Sequence, residues 1–373
     1  MTLVNKRVYA NIIIIEIHMN LTFIEEWETM KVGIPRALLY YYYYPFWKIM
    51  FDELKIETVV SKPTSKYIVN KGIEFSVPEI CVPIKVFAGH VVSIIDEVDY
   101  VFIPRMVSVS KDEYFCPKFM GLPDMIKYTV PGAINKVLSP KIQSDSDKIA
   151  NPKFYSEMKN LLGISSWDLQ RALRKAEVEW ENFRNLSKQG HVLTDALDIL
   201  EGKHIKEKTE KGKDNITIGL LGYVYDIYDE FVSMNVIEKL KEMNVNIITF
   251  EMLDEKLINN SINFMKKRLF WTFSNKLLGA GYYFYNNPRV DGLIHVTAFG
   301  CGPDSMIGKM MELESNHYNK PFMTIRVDEH TGESHLQTRV EAFIDMIKRK
   351  KLLTGGVGCN ENNLSIHGNN AGI

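Results

Sequence analysis

A buried strand that hands over to a helix through a glycine-bracketed cysteine constrains this chain more than any other stretch. Gly292-Leu-Ile-His-Val-Thr-Ala298 is an almost unbroken apolar and β-branched run, the pattern of a strand covered on both faces in a parallel sheet. Phe299-Gly300-Cys301-Gly302-Pro303-Asp304-Ser305 follows, and Ser305 to Glu314 reads as a helix. Pro303 and Asp304 suit its first turn, and Asp304 or Ser305 its cap. Glycine on both sides lets the backbone take positive φ or approach a bulky object closely. Ligands bind at the carboxyl ends of strands in open α/β sheets, so Cys301 is presented at a site.

The same alternation runs through most of the chain. Lys31 to Ala37 reads as a strand and Leu38 to Leu54 as an aromatic-rich helical stretch, in which Pro45 suits a first turn, so that the helix is expected to start there. The Tyr40–Tyr44 run has two readings, a helix packed on a sheet edge or an aromatic wall beside a ligand. Glu57 to Val60 completes a β-α-β unit. Further strands are expected at 99–105, 215–222, 246–250 and 321–328. Further helices are expected at 85–95, 125–136, 229–243, 254–267 and 337–351. From Ser165 the period changes: Leu169, Leu173, Ala176, Trp180 and Phe183 recur at helical spacing, with Ser165 and Asp168 as a helix start. The predicted fold is α/β: two Rossmann-like parallel-sheet domains with a helical insertion between them. Residues 30–149 form the first domain, with Cys81 and Cys116. Residues 150–214 form the helical region and a charged linker, and 215–353 the second domain, with Cys301.

Both ends stand outside this pattern. Residues 1–29 contain only a short apolar run, Ile12 to Ile15, too short to span a bilayer and without a signal-peptide cleavage site. Met30 is read as the true start and 1–29 as translated leader. Residues 354–373 are Gly/Asn-rich and read as a disordered tail, so Cys359 is set aside as a ligand. The 373 residues carry a formal net charge of −1, which marks no nucleic-acid or membrane partner. The chain reads as cytoplasmic, and its four cysteines do not read as a disulfide framework.

Cys81 and Cys116 share the setting of Cys301. Each lies in a Pro- or Gly-punctuated loop ahead of a helix, in Ser76-Val-Pro-Glu-Ile-Cys81-Val-Pro83 and Tyr114-Phe-Cys116-Pro-Lys-Phe-Met-Gly121. Buried core positions are one reading. A single nucleophile with His90 or His330 as base is another, and it leaves two cysteines unexplained. A structural zinc site usually shows a close Cys-x-x-Cys pair, absent here. Three thiolates from separate loops suit a cubane iron–sulfur cluster with one iron open. Lys85, Arg105 and Lys118 lie near the first two cysteines in sequence, and cationic donors beside cluster sulfurs raise the potential. His90, in an apolar helix, reads as a satisfied core histidine. Asp328, Glu329 and His330 end a strand of the second half. They are candidates for acid–base contacts, or for capping and salt bridges with Arg339 or Arg326.

Lys31-Val-Gly-Ile-Pro-Arg-Ala-Leu-Leu-Tyr40, Cys81-Val-Pro-Ile-Lys-Val-Phe-Ala-Gly-His90, Val101-Phe-Ile-Pro-Arg-Met-Val-Ser108, Cys116-Pro-Lys-Phe-Met-Gly-Leu-Pro-Asp124, Phe299-Gly-Cys-Gly-Pro-Asp-Ser305 and Asp328-Glu-His-Thr-Gly332 together resemble the DUF2229 family. That family is related to CoA-enzyme activases and 2-hydroxyacyl-CoA dehydratases. The resemblance covers residues 30 to about 350. It implies that Cys81, Cys116 and Cys301 ligate a four-iron, four-sulfur cluster, or a larger one, in an oxygen-sensitive protein of an anaerobe. Gly300 and Gly302 would leave room for the cluster, and the helix start at Ser305 would turn N–H groups toward it. A separate ATP-dependent activator of the actin/Hsp70-like fold would supply electrons for a low-potential reduction or a dehydration, and the subunit would pair as a homo- or heterodimer. The phosphate-binding glycine motif of that activator is not visible in this chain. Two other readings stand beside this one: a non-catalytic iron–sulfur carrier or accessory subunit, and a small-ligand-binding protein with buried thiols.

Overall fold

Two parallel sheets with one shared strand order organise the chain. The computed structural model describes residues 30–204, 215–329 and 333–356. The leader reading of 1–29, the linker at 205–214, His330, and the tail with Cys359 lie outside the described residues. In the first half, β1 (Lys31–Ile34), β2 (Glu57–Val60), β3 (Tyr100–Phe102), β4 (Arg105–Val109), β5 (Val137–Leu138) and β6 (Lys141–Ser144) form a sheet of order β2-β1-β3-β5 and a parallel ribbon β4-β6. In the second half, β7 (Thr217–Leu221), β8 (Asn246–Ile248), β9 (Gly292–Ala298) and β10 (Phe322–Val327) give the order β10-β9-β7-β8. Every pair is parallel. In each sheet the first strand therefore lies between the second and the third. The chain reverses direction of winding between β1 and β3, and again between β7 and β9, and such points are where crevices open in α/β sheets. All seven residues of β9 are buried, as its unbroken apolar run requires.

Local chemistry sets several boundaries. The expected strand at 99–105 is divided by Pro104, which has no N–H to give a ladder, into β3 and β4. The helix expected at 125–136 runs instead over Leu122–Thr129, ending ahead of Pro131-Gly132. The helix expected at 229–243 is Val236–Glu242. Met234 and Asn235, both at positive φ, break the stretch before it. Ser165 caps the long helix Ser166–Lys188, its Oγ accepting the Asp168 N–H at 3.0 Å.

The aromatic helix runs over Tyr40–Glu53 with Pro45 inside it, rather than starting at Pro45. Aromatic packing holds this exception in place. Tyr43 stacks on Trp180 with ring centroids 5.5 Å apart, and Tyr42 meets Trp180, Phe250 and Phe273. The tyrosine run is thus the packing surface between the first half, the long helix and the second half. Among the described residues, no helix is long and apolar enough to cross a membrane.

Helices Lys66–Glu74 and Val82–Ile94 cross backbone against backbone. A Cβ on Gly89 would stand 1.9 Å from the Ile68 carbonyl oxygen, and one on Gly72 1.8 Å from that of Lys85. Because Cys81 precedes the second helix, this crossing also sets where that cysteine stands. Gly89→Ala is expected to destabilise the chain by about 2–3 kcal/mol, since two backbones must separate. It should also raise the reactivity of Cys81 toward a thiol reagent. A urea midpoint within error of wild type would contradict this.

Candidate functional site

Cys81, Cys116 and Cys301 each occupy the residue immediately before a helix. They precede Val82–Ile94, Pro117–Met120 and Gly302–His317, with extended backbone angles in all three cases and Pro83, Pro117 or Pro303 in the first turn. The repeated Cys-Pro or Cys-x-Pro arrangement follows from chemistry. Proline presets the first helical φ and lacks an N–H that would have no partner there, so the preceding residue is left extended at the helix mouth.

All three thiols are free and partly buried. They come from different segments of the two halves, yet they share one electrostatic neighbourhood. Cys81 feels the charge of Cys116, Cys301 feels that of Cys81, and Tyr223 and Tyr225 feel both Cys116 and Cys301. Cys116 and Cys301 line one open cleft, walled by Tyr114, Phe115, Tyr223, Tyr225, Trp271 and Phe273. A Cβ added at Gly300, where φ is +78°, or at Gly302 would meet no atom within 4 Å. The backbone beside Cys301 therefore faces open space.

Burial pushes the Cys81 thiol above its ordinary range, and the Lys118 ammonium, hydrogen-bonded to it, works the other way. Burial also pushes Cys301 up, reinforced by the Asp304 and Asp226 carboxylates. Cys81 and Cys301 are thus thiols in the metal-free chain. A bound cation of high charge is what converts such groups to thiolates. Among the described residues, no group of three or more His, Cys, Asp or Glu side chains is drawn together as a single metal ion requires. This differs from a closed tetrahedral zinc site. A cubane would place each thiolate on a different iron and so asks for sulfurs spread around a cavity; Cys116 and Cys301 line the cleft, and Cys81 is not among its lining residues.

The remaining sequence candidates are placed as follows. Lys118 stands against Cys81. The buried Lys85 donates to Glu329 Oε1 at 2.8 Å and to the Pro78 carbonyl at 3.0 Å, joining the two halves. Arg105 donates to the Met120 carbonyl and pairs with Asp124, bracing the turn after Cys116. Ser305 Oγ donates to the Cys301 carbonyl at 2.7 Å. Asp328 follows β10 and precedes Glu329, while His330 lies outside the described residues.

His90 is buried with both ring nitrogens bonded. The Arg36 N–H donates to Ser61 Oγ at 2.7 Å, so the Ser61 hydroxyl gives its proton to His90 Nδ1 at 2.8 Å. His90 Nε2–H then donates to Thr64 Oγ1 at 2.8 Å, and Thr64 donates to Asp229 of the second half. Burial lowers the His90 pKa from 6.5 to about 3. The unfolded chain binds this proton near pH 6.5 and the folded chain does not. The histidine's contribution to stability is therefore full above pH 6.5 and is lost as pH falls toward 3. The stability gap between wild type and His90→Gln should shrink on acidification over that window; a gap independent of pH in urea titrations would contradict the assignment.

Sequence reading did not find Asp226. It is fully buried on the short helix after β7, and neither carboxylate oxygen makes a hydrogen bond of good geometry. Burial, with the Asp304 and Asp229 carboxylates, raises its pKa well above the usual range. The signal available was positional: Asp226 follows the first strand of a second sheet, just as Arg36 follows β1.

The family model described as "CoA enzyme activase uncharacterised domain (DUF2229)" matches residues 31–253. The matched stretch contains Cys81 and Cys116 and stops before Cys301. No curated protein matches the chain.

Proposed function

The chain belongs to the DUF2229 family, and from that premise we propose that it is an iron–sulfur protein whose Cys81, Cys116 and Cys301 hold a four-iron, four-sulfur cluster. The observation that carries this reading is the identical placement of three free thiols at helix mouths around one electrostatic neighbourhood. With only three protein thiolates, such a cluster leaves one iron open to a substrate, for a low-potential reduction or a dehydration. Electrons would come from a separate ATP-dependent activator of the actin/Hsp70-like fold, in the cytoplasm, with the subunit working as a homo- or heterodimer.

The chain's own residues divide the remaining work. The helices that begin after Cys81 and Cys301 turn backbone N–H groups toward the site, which favours negative charge there. Lys118 offsets charge on the Cys81 sulfur. Aromatic walls flank Cys116 and Cys301, and a low-dielectric surround strengthens these charge effects. Lys85–Glu329 and Thr64–Asp229 hold the halves that contribute the cysteines in fixed relation.

Anaerobic purification and reconstitution, followed by iron and sulfide analysis and by electron paramagnetic resonance after reduction, test the proposal. Iron and sulfide in equal amounts with a reduced-cluster signal are expected. A chain that takes up neither would overturn it. A cluster that passes intact to an acceptor protein, with no spectral response to small molecules, would support an accessory role instead.

A further inference from the structure

The turn after β1 presents a cation that no carboxylate answers. Arg36 follows β1 at the winding reversal of the first sheet, the position where an α/β sheet receives a ligand. The turn is tightly set. The Ala37 N–H donates to the Pro35 carbonyl at 2.8 Å, across Arg36, and Leu38 is a buried leucine at φ +55°, a left-handed conformation that costs free energy in a residue other than glycine. The Arg36 N–H donates to Ser61 Oγ at 2.7 Å, and its carbonyl accepts from Tyr41 Oη at 3.4 Å. The backbone is thus held on both sides. The half-buried guanidinium makes no hydrogen bond or ion pair among the described residues; it stands over the ring of Tyr40, 5.7 Å from the centroid.

Tyr40 and Tyr44 continue this arrangement, one turn apart on helix Tyr40–Glu53. Their rings lie 4.5 Å apart and are 5% and 8% exposed. Neither hydroxyl makes a hydrogen bond among the described residues, and neither is sealed from solvent. Burial raises the pKa of both phenols, so each hydroxyl keeps the proton that it can donate. The carboxylates that Tyr40, Tyr41 and Tyr44 feel each have other partners. Asp52 pairs with Lys48, Glu201 with Lys203, and Asp229 accepts from Thr64 and from the N–H groups of Phe231 and Val232. One guanidinium fork and two phenols are left with donors unused. None of the three lines the cleft at Cys116 and Cys301.

We infer that Arg36, Tyr40 and Tyr44 bind a phosphate group, carried by inorganic phosphate or by a small phosphate monoester. The planar guanidinium fork matches two oxygens of a phosphate. A phosphate has further oxygens to accept from the two phenols, whereas the fork alone occupies both oxygens of a carboxylate. The site uses none of the cysteines, so it stands apart from the iron–sulfur reading.

The test is isothermal titration calorimetry of the full chain with inorganic phosphate and with phenyl phosphate, at constant ionic strength in chloride. One saturable site with a Kd of about 1 mM or tighter is expected. Tyr44→Phe keeps the ring and loses the hydroxyl, and should weaken binding about tenfold. Arg36→Met, which removes the charge and the fork, should abolish saturable binding. No saturable heat from either compound overturns the proposal, and so does wild-type affinity in a folded Arg36→Met or Tyr44→Phe chain. Tighter binding of phenyl phosphate supports the site and identifies an ester as its ligand; tighter binding of inorganic phosphate supports it equally and identifies the free ion.

Discussion

Cys301→Ala is expected to leave a folded chain that has lost most of its capacity to hold iron and sulfide. Cys301 is the only one of the three thiols supplied by the second half, and Cys81 and Cys116 both belong to the first. Removing it leaves two thiolates, both from the first half, so a cubane would have two irons without protein ligands. Asp304 is buried and already bonded to His295 at 3.0 Å, and the open face at Gly300 and Gly302 offers backbone only. Iron bound after anaerobic reconstitution should fall by more than about half, in line with the steep dependence of metal affinity on ligand number. The reduced-cluster resonance should vanish or change type. Stability of the metal-free chain should change by under about 1 kcal/mol, because the side chain is small and only partly buried. Cys359→Ala is the matching control and should bind iron as the wild type does. Equal iron content in Cys301→Ala and wild type would remove the basis of the three-cysteine site.

The parts of the site that were legible in the sequence are those encoded within a few residues. The apolar run of β9 followed by Gly-Cys-Gly-Pro announced a strand, a turn and a helix. Cys81-Val-Pro and Cys116-Pro announced two more helix mouths, because proline's fixed φ and missing N–H act locally. Ser165 with Asp168 announced a capped helix for the same reason. Features made by contacts between distant residues were not legible. The partner of Lys85 is Glu329, and that of Thr64 is Asp229, neither of which any spacing rule could connect. Pro45 sits inside a helix because Tyr42 and Tyr43 pack on Trp180, a tertiary gain that outweighs a lost backbone bond.

Asp147→Ala is expected to destabilise the protein by about 3–5 kcal/mol, the cost of leaving a buried charge without its partner. Asp147 follows β6 and accepts from Tyr42 of the aromatic helix at 2.9 Å and from Lys276 Nζ at 2.5 Å. Lys276 lies on helix Thr272–Asn286 of the second half and is buried. Burial works against its charge, yet Asp147 and Tyr42 outweigh that effect and raise its pKa. Removing the carboxylate strands an ammonium and a phenol in the interior together. Replacing both charged partners, as in Asp147→Leu with Lys276→Met, removes the buried charge and should recover at least about half of the loss. Urea unfolding of the two variants separates these outcomes, and a loss under about 1 kcal/mol for Asp147→Ala would show that the pair is solvated. The same helix carries Phe273, a wall of the cleft at Cys116 and Cys301 that also packs against Tyr42.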